Sequence, residues 1–139
     1  MMKTYTLIDH TADLGIHVLG TDPKDLFQNA ARAMFEQIAE IEALEGTEAV
    51  AIHLTGEDRP DLMVNWLREL LYYWHVKGLL LRDAQIELIS DKELLAQANF
   101  DPYAPDRHVI KREIKAVTYH QIQVKRGSEG WESKIIFDV

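Results

Sequence analysis

Residues 22–41, DPKDLFQNAARAMFEQIAEI, decide how this chain folds. Asp22 suits a helix N-cap, where a carboxylate accepts a hydrogen bond from a free backbone N–H, and Pro23 fits the first helical position, where no N–H is needed. Leu26, Phe27, Ala30, Ala31, Met34, Phe35, Ile38 and Ile41 then recur at intervals of three and four. That spacing predicts an amphipathic helix with one wide buried face. A second helix follows the same logic: Pro60 and Asp61 open a run with Leu62, Met63, Trp66, Leu67, Leu70, Leu71 and Trp74, and Gly78 is placed to end it. With Trp66 and Trp74 assigned to its core side, Tyr72 or Tyr73 points outward, as an ordinary surface tyrosine or as an interaction anchor.

The rest of the chain alternates between apolar and polar residues, as half-buried strands do. Leu14, Ile16 and Val18 share one parity, Val50, Ile52 and Leu54 another, and Ala84, Ile86 and Leu88 a third. Further strands are expected at Glu113 to Tyr119, Ile122 to Val124 and Trp131 to Phe137, the last two joined by the turn-like residues 125–130. Two prolines and two acids make residues 100–106 a loop. Helices do not alternate regularly with strands, so a doubly wound sheet is disfavoured. The expected class is α+β, with two amphipathic helices packed on a mostly antiparallel, sandwich-like sheet.

At 139 residues, 47% of them apolar, the chain has the size and core of one domain, spanning 1–139. Fifteen Lys and Arg against 23 Asp and Glu give a net charge of −8, which argues against unaided binding of phosphate backbones. A role near nucleic acid would run through a protein partner. With no cysteine, disulfides and thiolate metal sites are excluded. The first residues lack the apolar run of a secretory signal, and no later stretch is long enough to cross a bilayer, so a soluble, cytoplasmic protein is expected.

Familiar enzyme signatures are absent: there is no Gly-rich phosphate loop with a following Lys, no Gly-x-Ser-x-Gly elbow and no dinucleotide fingerprint. The stretch with the most chemistry is Asp9-His10-Thr11-Ala12-Asp13, taken together with Asp138 and Val139 at the other end of the sequence. Hard cations such as Ca²⁺ and Mg²⁺ prefer oxygen ligands, and Asp9, Asp13, Asp138 and the carboxylate of Val139 could supply them. Equally, Asp9 and Asp13 could cap a turn, and Asp138 could simply be solvated. His10 could act as a general base, orient Asp13 or sit satisfied beside the sheet. His17, His53, His75, His108 and His120 show no zinc-type spacing. Lys115, at a parity shared with Val117 and Tyr119, is either held against an acid or snorkels from an edge strand. Paired acids without an evident nucleophile or base give no support to a stand-alone hydrolase.

The opening Asp9-His10-Thr11-Ala12-Asp13, the Ala33-Met34-Phe35 segment, residues 65–72 (NWLRELLY), residues 115–120 (KAVTYH) and the closing Asp138-Val139 together resemble the archease family, in the same order from end to end. That resemblance implies a non-enzymatic protein cofactor that promotes guanylylation and multiple turnover of an RtcB-type tRNA-splicing ligase, or a chaperone-like specificity modulator of a tRNA methyltransferase. It also implies a divalent metal, calcium above all, held by Asp13 and Asp138 with Val139 as a further oxygen, Asp9 and His10 as supporting groups, and Lys115 as the residue that acts on the partner. No catalytic residue of the chain's own is implied. Reshaping the ligase site and delivering metal to it both fit.

Overall fold

The computed structural model describes residues 4–8 and 13–139, so Asp9 and His10 lie outside the described residues. Its elements run β1 (Tyr5–Ile8), β2 (Asp13–Gly20), α1 (Pro23–Ile38), a 3-10 turn (Ile41–Ala43), β3 (Glu48–Thr55), α2 (Arg59–Lys77), β4 (Leu79–Ile89), β5 (Glu93–Pro102), β6 (Ala116–Val117), β7 (Gln123–Gly127) and β8 (Gly130–Asp138). The strands form two sheets in which every pairing is antiparallel. One has the order β1-β2-β8-β6, with β7 sharing the second edge of β8, and the other has the order β3-β5-β4. Both helices pack against strands of both sheets. The α+β class with two helices on antiparallel sheet is what the sequence predicts; the division into two sheets is new.

The helix ends follow from their caps. Asp22 accepts a hydrogen bond from the Asp25 N–H at 2.8 Å, with Pro23 behind it in the first turn. In α2 the cap is Asp58, which accepts from the Asp61 N–H at 2.9 Å, so the helix begins at Arg59, just before the expected Pro60. Gly78 ends α2 in the left-handed region at φ 67°, its N–H bonded to the Trp74 carbonyl at 3.1 Å. α1 has no basic residue in its last turn; Lys111 supplies one from a distance, its Nζ donating to the Glu36 carbonyl at 2.7 Å.

Leu26, Phe27, Ala30, Ala31, Met34, Phe35 and Ile38 are fully buried, as their spacing predicts. Trp66 is also fully buried and donates its indole N–H to the Phe27 carbonyl at 2.9 Å, which ties α2 to α1 without leaving a buried donor unpaired. Trp74 is half-buried, packed against the margin of the core and in a T-shaped contact with Tyr103. Tyr73 leans on Phe100, and Tyr72 is the tyrosine that faces outward. No helix among the described residues is long and apolar enough to cross a membrane.

Three expectations need correction. Residues 100–102 are not loop but the end of β5, where Phe100 is fully buried and Asp101 ties down residues 45–47 by accepting from their three N–H groups. Pro102 is tolerated there because it closes the strand. The strand expected over Glu113 to Tyr119 shrinks to Ala116–Val117. Within it Ile114 and Val117 are buried while Lys115 and Tyr119 are exposed, so Lys115 does not share a face with Val117. Finally, the turn of the last hairpin is only Ser128 and Glu129, since Lys125 and Arg126 already pair with Glu132 and Trp131.

Candidate functional site

β2 and β8 run antiparallel in a register that sets Asp13 directly opposite Asp138. Leu14 then faces Phe137 and Ile16 faces Ile135, and all four are in the core. Alternation therefore turns Asp13 and Asp138 together to the other face of the sheet. Asp138 is exposed and Asp13 half-buried. The next pair on that face is Gly15 and Ile136. A Cβ on Gly15 would lie 3.0 Å from the Ile136 Cδ1 and 3.1 Å from the Ile8 Cβ, so the glycine lets Ile136 lie across β2 beside the two acids. Apolar packing and register on one strand pair thus fix where two carboxylates meet.

Like charges directly opposite each other on adjacent strands are unfavourable, and a cation shared between them reverses the sign of that interaction. The donors are all oxygen, which suits a hard divalent ion. Among the described residues no group of three or more His, Cys, Asp or Glu side chains is placed to hold a metal ion, so further ligands to the pair would come from main-chain oxygens, water or the residues outside the description. Val139 follows Asp138 directly and is exposed.

Lys115 is brought to the same place by backbone bonding. Its N–H donates to the Asp138 carbonyl at 2.8 Å, and Ala116 is the register partner of Asp138 on the side away from Asp13. Thr118 anchors the next residue pair, donating both its N–H and its hydroxyl to the Ile136 carbonyl, at 3.1 and 2.8 Å. The Lys115 side chain is exposed.

From the other side, α2 clamps this segment with two side chains. Arg68 Nε donates to the Val117 carbonyl at 3.1 Å, and His75 Nε2 to the Ile114 carbonyl at 2.9 Å, which requires the proton on Nε2. The Arg68 guanidinium also lies 4.7 Å from the centre of the Tyr119 ring. The Tyr119 hydroxyl donates to Asp61 Oδ1 at 2.6 Å. That one bond raises the Tyr119 pKa and lowers that of Asp61, as expected when a phenol proton is held by a carboxylate. Lys115 therefore sits between two fixed supports, the β8 ladder and α2.

Reading the sequence singles out Asp13, Asp138, Val139 and Lys115, and these four meet at one end of the β2–β8–β6 sheet. It does not single out Arg68, His75, Tyr119 or Asp61. Arg68 and His75 lie with Tyr72 and Val76 on the exposed stripe of α2, which helical spacing could have revealed; their targets are backbone carbonyls, which leave no mark in the sequence.

The Archease protein family (MTH1598/TM1083) matches residues 5–139. Protein archease of Methanosarcina acetivorans is 35% identical over 141 residues, covering 99% of this chain and 97% of the relative. Protein archease of Methanopyrus kandleri is 35% identical over 135 residues, covering 95% and 96%. The solution structure of Methanobacterium thermoautotrophicum protein 1598 is similar with a TM-score of 0.81 at 28% identity, covering 99% of this chain and 100% of that one. The crystal structure of an archease from Thermotoga maritima, described as a possible chaperone, shares the fold with a TM-score of 0.67 at 22% identity, covering 95% and 94%. The names of these relatives state no catalytic activity of their own. With a family match over nearly its whole length and relatives above 30% identity, this chain belongs to the archease family.

Proposed function

We propose that this chain is a metal-binding activator of an RtcB-type RNA ligase, promoting the ligase's guanylylation and its multiple-turnover tRNA splicing or RNA repair. The observation that carries the reading is the register pair Asp13 and Asp138, two carboxylates facing each other on one face of the sheet. Asp13 and Asp138 would hold the ion, with an oxygen of Val139 and with Asp9 and His10 in support. Calcium fits the all-oxygen donor set. A divalent ion there would supply positive charge to a partner's phosphate chemistry. Lys115, exposed and fixed at its backbone to the Asp138 carbonyl, is the side chain that reaches the partner. The net charge of −8 supports an encounter with a basic, RNA-handling enzyme rather than with RNA itself.

The test is a guanylylation and multiple-turnover ligation assay of a purified RtcB-type ligase with and without this protein. Stimulation is expected from the natural chain and its loss from Asp13→Ala. An Asp13→Ala protein that still binds calcium and stimulates at the normal rate would overturn the reading.

The description of the Thermotoga maritima relative as a possible chaperone favours a second reading, a chaperone or specificity modulator of a tRNA methyltransferase. Under it the ligase assay stays flat, while aggregation or site choice of the purified methyltransferase changes when this protein is added.

A further inference from the structure

Beside the acid pair, α2 and the segment around β6 enclose an open groove of about 290 Å³. Its floor is apolar, made by Leu71 and Val117, and its outer wall is formed by Tyr72 and Val76, which are 44% and 62% exposed. The rim carries Arg68, His75 and Lys115, and no carboxylate lines it among the described residues. On a chain of net charge −8, a groove lined by two cations and an imidazole, and by no carboxylate among the described residues, stands apart.

We propose that this groove binds a short segment of another protein in which an apolar side chain is flanked by carboxylates. The apolar floor and wall take the side chain, and Lys115 and Arg68 take the acids on either side. Two observations narrow the occupant. The Ile114 and Val117 carbonyls are already bonded to His75 and Arg68, so this edge of the segment around β6 is closed to an added strand and the occupant must dock through side chains. RNA fits less well: phosphate binding rests on clustered Lys and Arg, and the groove carries only Arg68 and Lys115 around an apolar floor. The inference goes beyond the metal reading and does not depend on it.

The experiment titrates two labelled probes into the purified full chain and follows its amide signals by NMR: a peptide alternating Leu and Phe with Asp and Glu, and an oligouridylate of equal length. The peptide is expected to shift amides of residues 68–76 and 115–117 saturably. Val76→Glu alters only an exposed side chain and should weaken the peptide by about tenfold or more, whereas Asp13→Asn should leave it unchanged. No shift at the groove, an equal affinity in Val76→Glu, or displacement of the peptide by the oligouridylate would each overturn the proposal. None of these results bears on whether Asp13 and Asp138 bind metal, which is read separately from calcium binding by the two variants.

Discussion

Asp13, the first residue of β2, stands directly opposite Asp138, the last residue of β8, so two like charges share one face of the sheet in adjacent strands. Like charges directly opposite each other on adjacent strands are destabilising when nothing bridges them. A bound divalent ion stabilises the folded state by about 2.7 kcal/mol at a hundred times its dissociation constant. Thermal melts in chelator and in millimolar calcium should therefore diverge for the natural chain. Asp138→Asn should melt at or slightly above the natural chain in chelator and lose the calcium-dependent rise. An equal calcium shift in both proteins would place the ion elsewhere.

Gly15 supplies the space that lets Ile136 lie across β2 next to that pair. Gly15→Ala puts a methyl group at 3.0 Å from the Ile136 Cδ1 and at 3.1 Å from the Ile8 Cβ, closer than ordinary contact. A loss of about 1–3 kcal/mol is expected from overpacking of this kind. Because the tighter contact is with one terminal methyl, Ile136→Val should cost less in the Gly15→Ala background than alone. Urea unfolding of the four proteins of that cycle gives the coupling directly, and strict additivity would show that the clash is relieved elsewhere.

Both helices are legible from the sequence because their signals are local: Asp22 and Gly78 mark ends by side-chain and backbone chemistry of a single residue, and the buried residues of α1 repeat within a helix of 16 residues. Register is not local. Leu14, Ile16 and Val18 announce a strand, but only pairing with Phe137, Ile135 and Ser133 brings Asp13 to Asp138, and before folding that juxtaposition came from resemblance rather than from spacing. β5 gives only a weak signal in the sequence because half of its buried parity, Ala96 and Ala98, is small, and because Pro102 reads as a loop residue. The pairing around Lys115 is shorter than the sequence suggests: residues 113–119 look like a strand, but only Ala116 and Val117 pair with β8, and the flanking backbone is held one bond at a time, by Asp138, Ile136 and His75.

Asp101 offers a test of stability against pH. Burial raises the pKa of its carboxyl, and hydrogen bonds from the Thr47 and Glu45 N–H groups, the Thr47 hydroxyl and the Gly46 N–H outweigh that and leave it below the ordinary value. A carboxylate whose folded pKa is depressed contributes stability that is fully present above the unfolded value of about 3.9 and is lost as pH falls through the folded pKa. Urea midpoints of the natural chain should fall as pH is lowered below about 4. Asp101→Asn should be destabilised by about 1–3 kcal/mol at pH 7, since an amide cannot accept every bond the carboxylate does, and the difference should shrink in acid. A constant difference from pH 7 to pH 3 would mean that the carboxylate's charge contributes nothing.

Lys115 separates function from folding most sharply. Its side chain is exposed, while its backbone N–H holds the Asp138 carbonyl in every variant other than proline. Lys115→Ala should therefore keep the melting temperature of the natural chain, within the ±0.5 kcal/mol usual for surface changes, and keep calcium binding at Asp13 and Asp138. If Lys115 reaches the partner, stimulation of a purified RtcB-type ligase should drop by about tenfold or more, the scale of losing one charged contact at an interface. Lys115→Arg should recover part of it, because the charge returns on a longer, planar head. His75→Ala gives the complementary case: it frees the Ile114 carbonyl and loosens the clamp on the segment without removing the ammonium. Its stimulation should fall less than that of Lys115→Ala and should recover as the partner's concentration is raised. Normal stimulation by Lys115→Ala would show that this end of the sheet meets its partner through other groups.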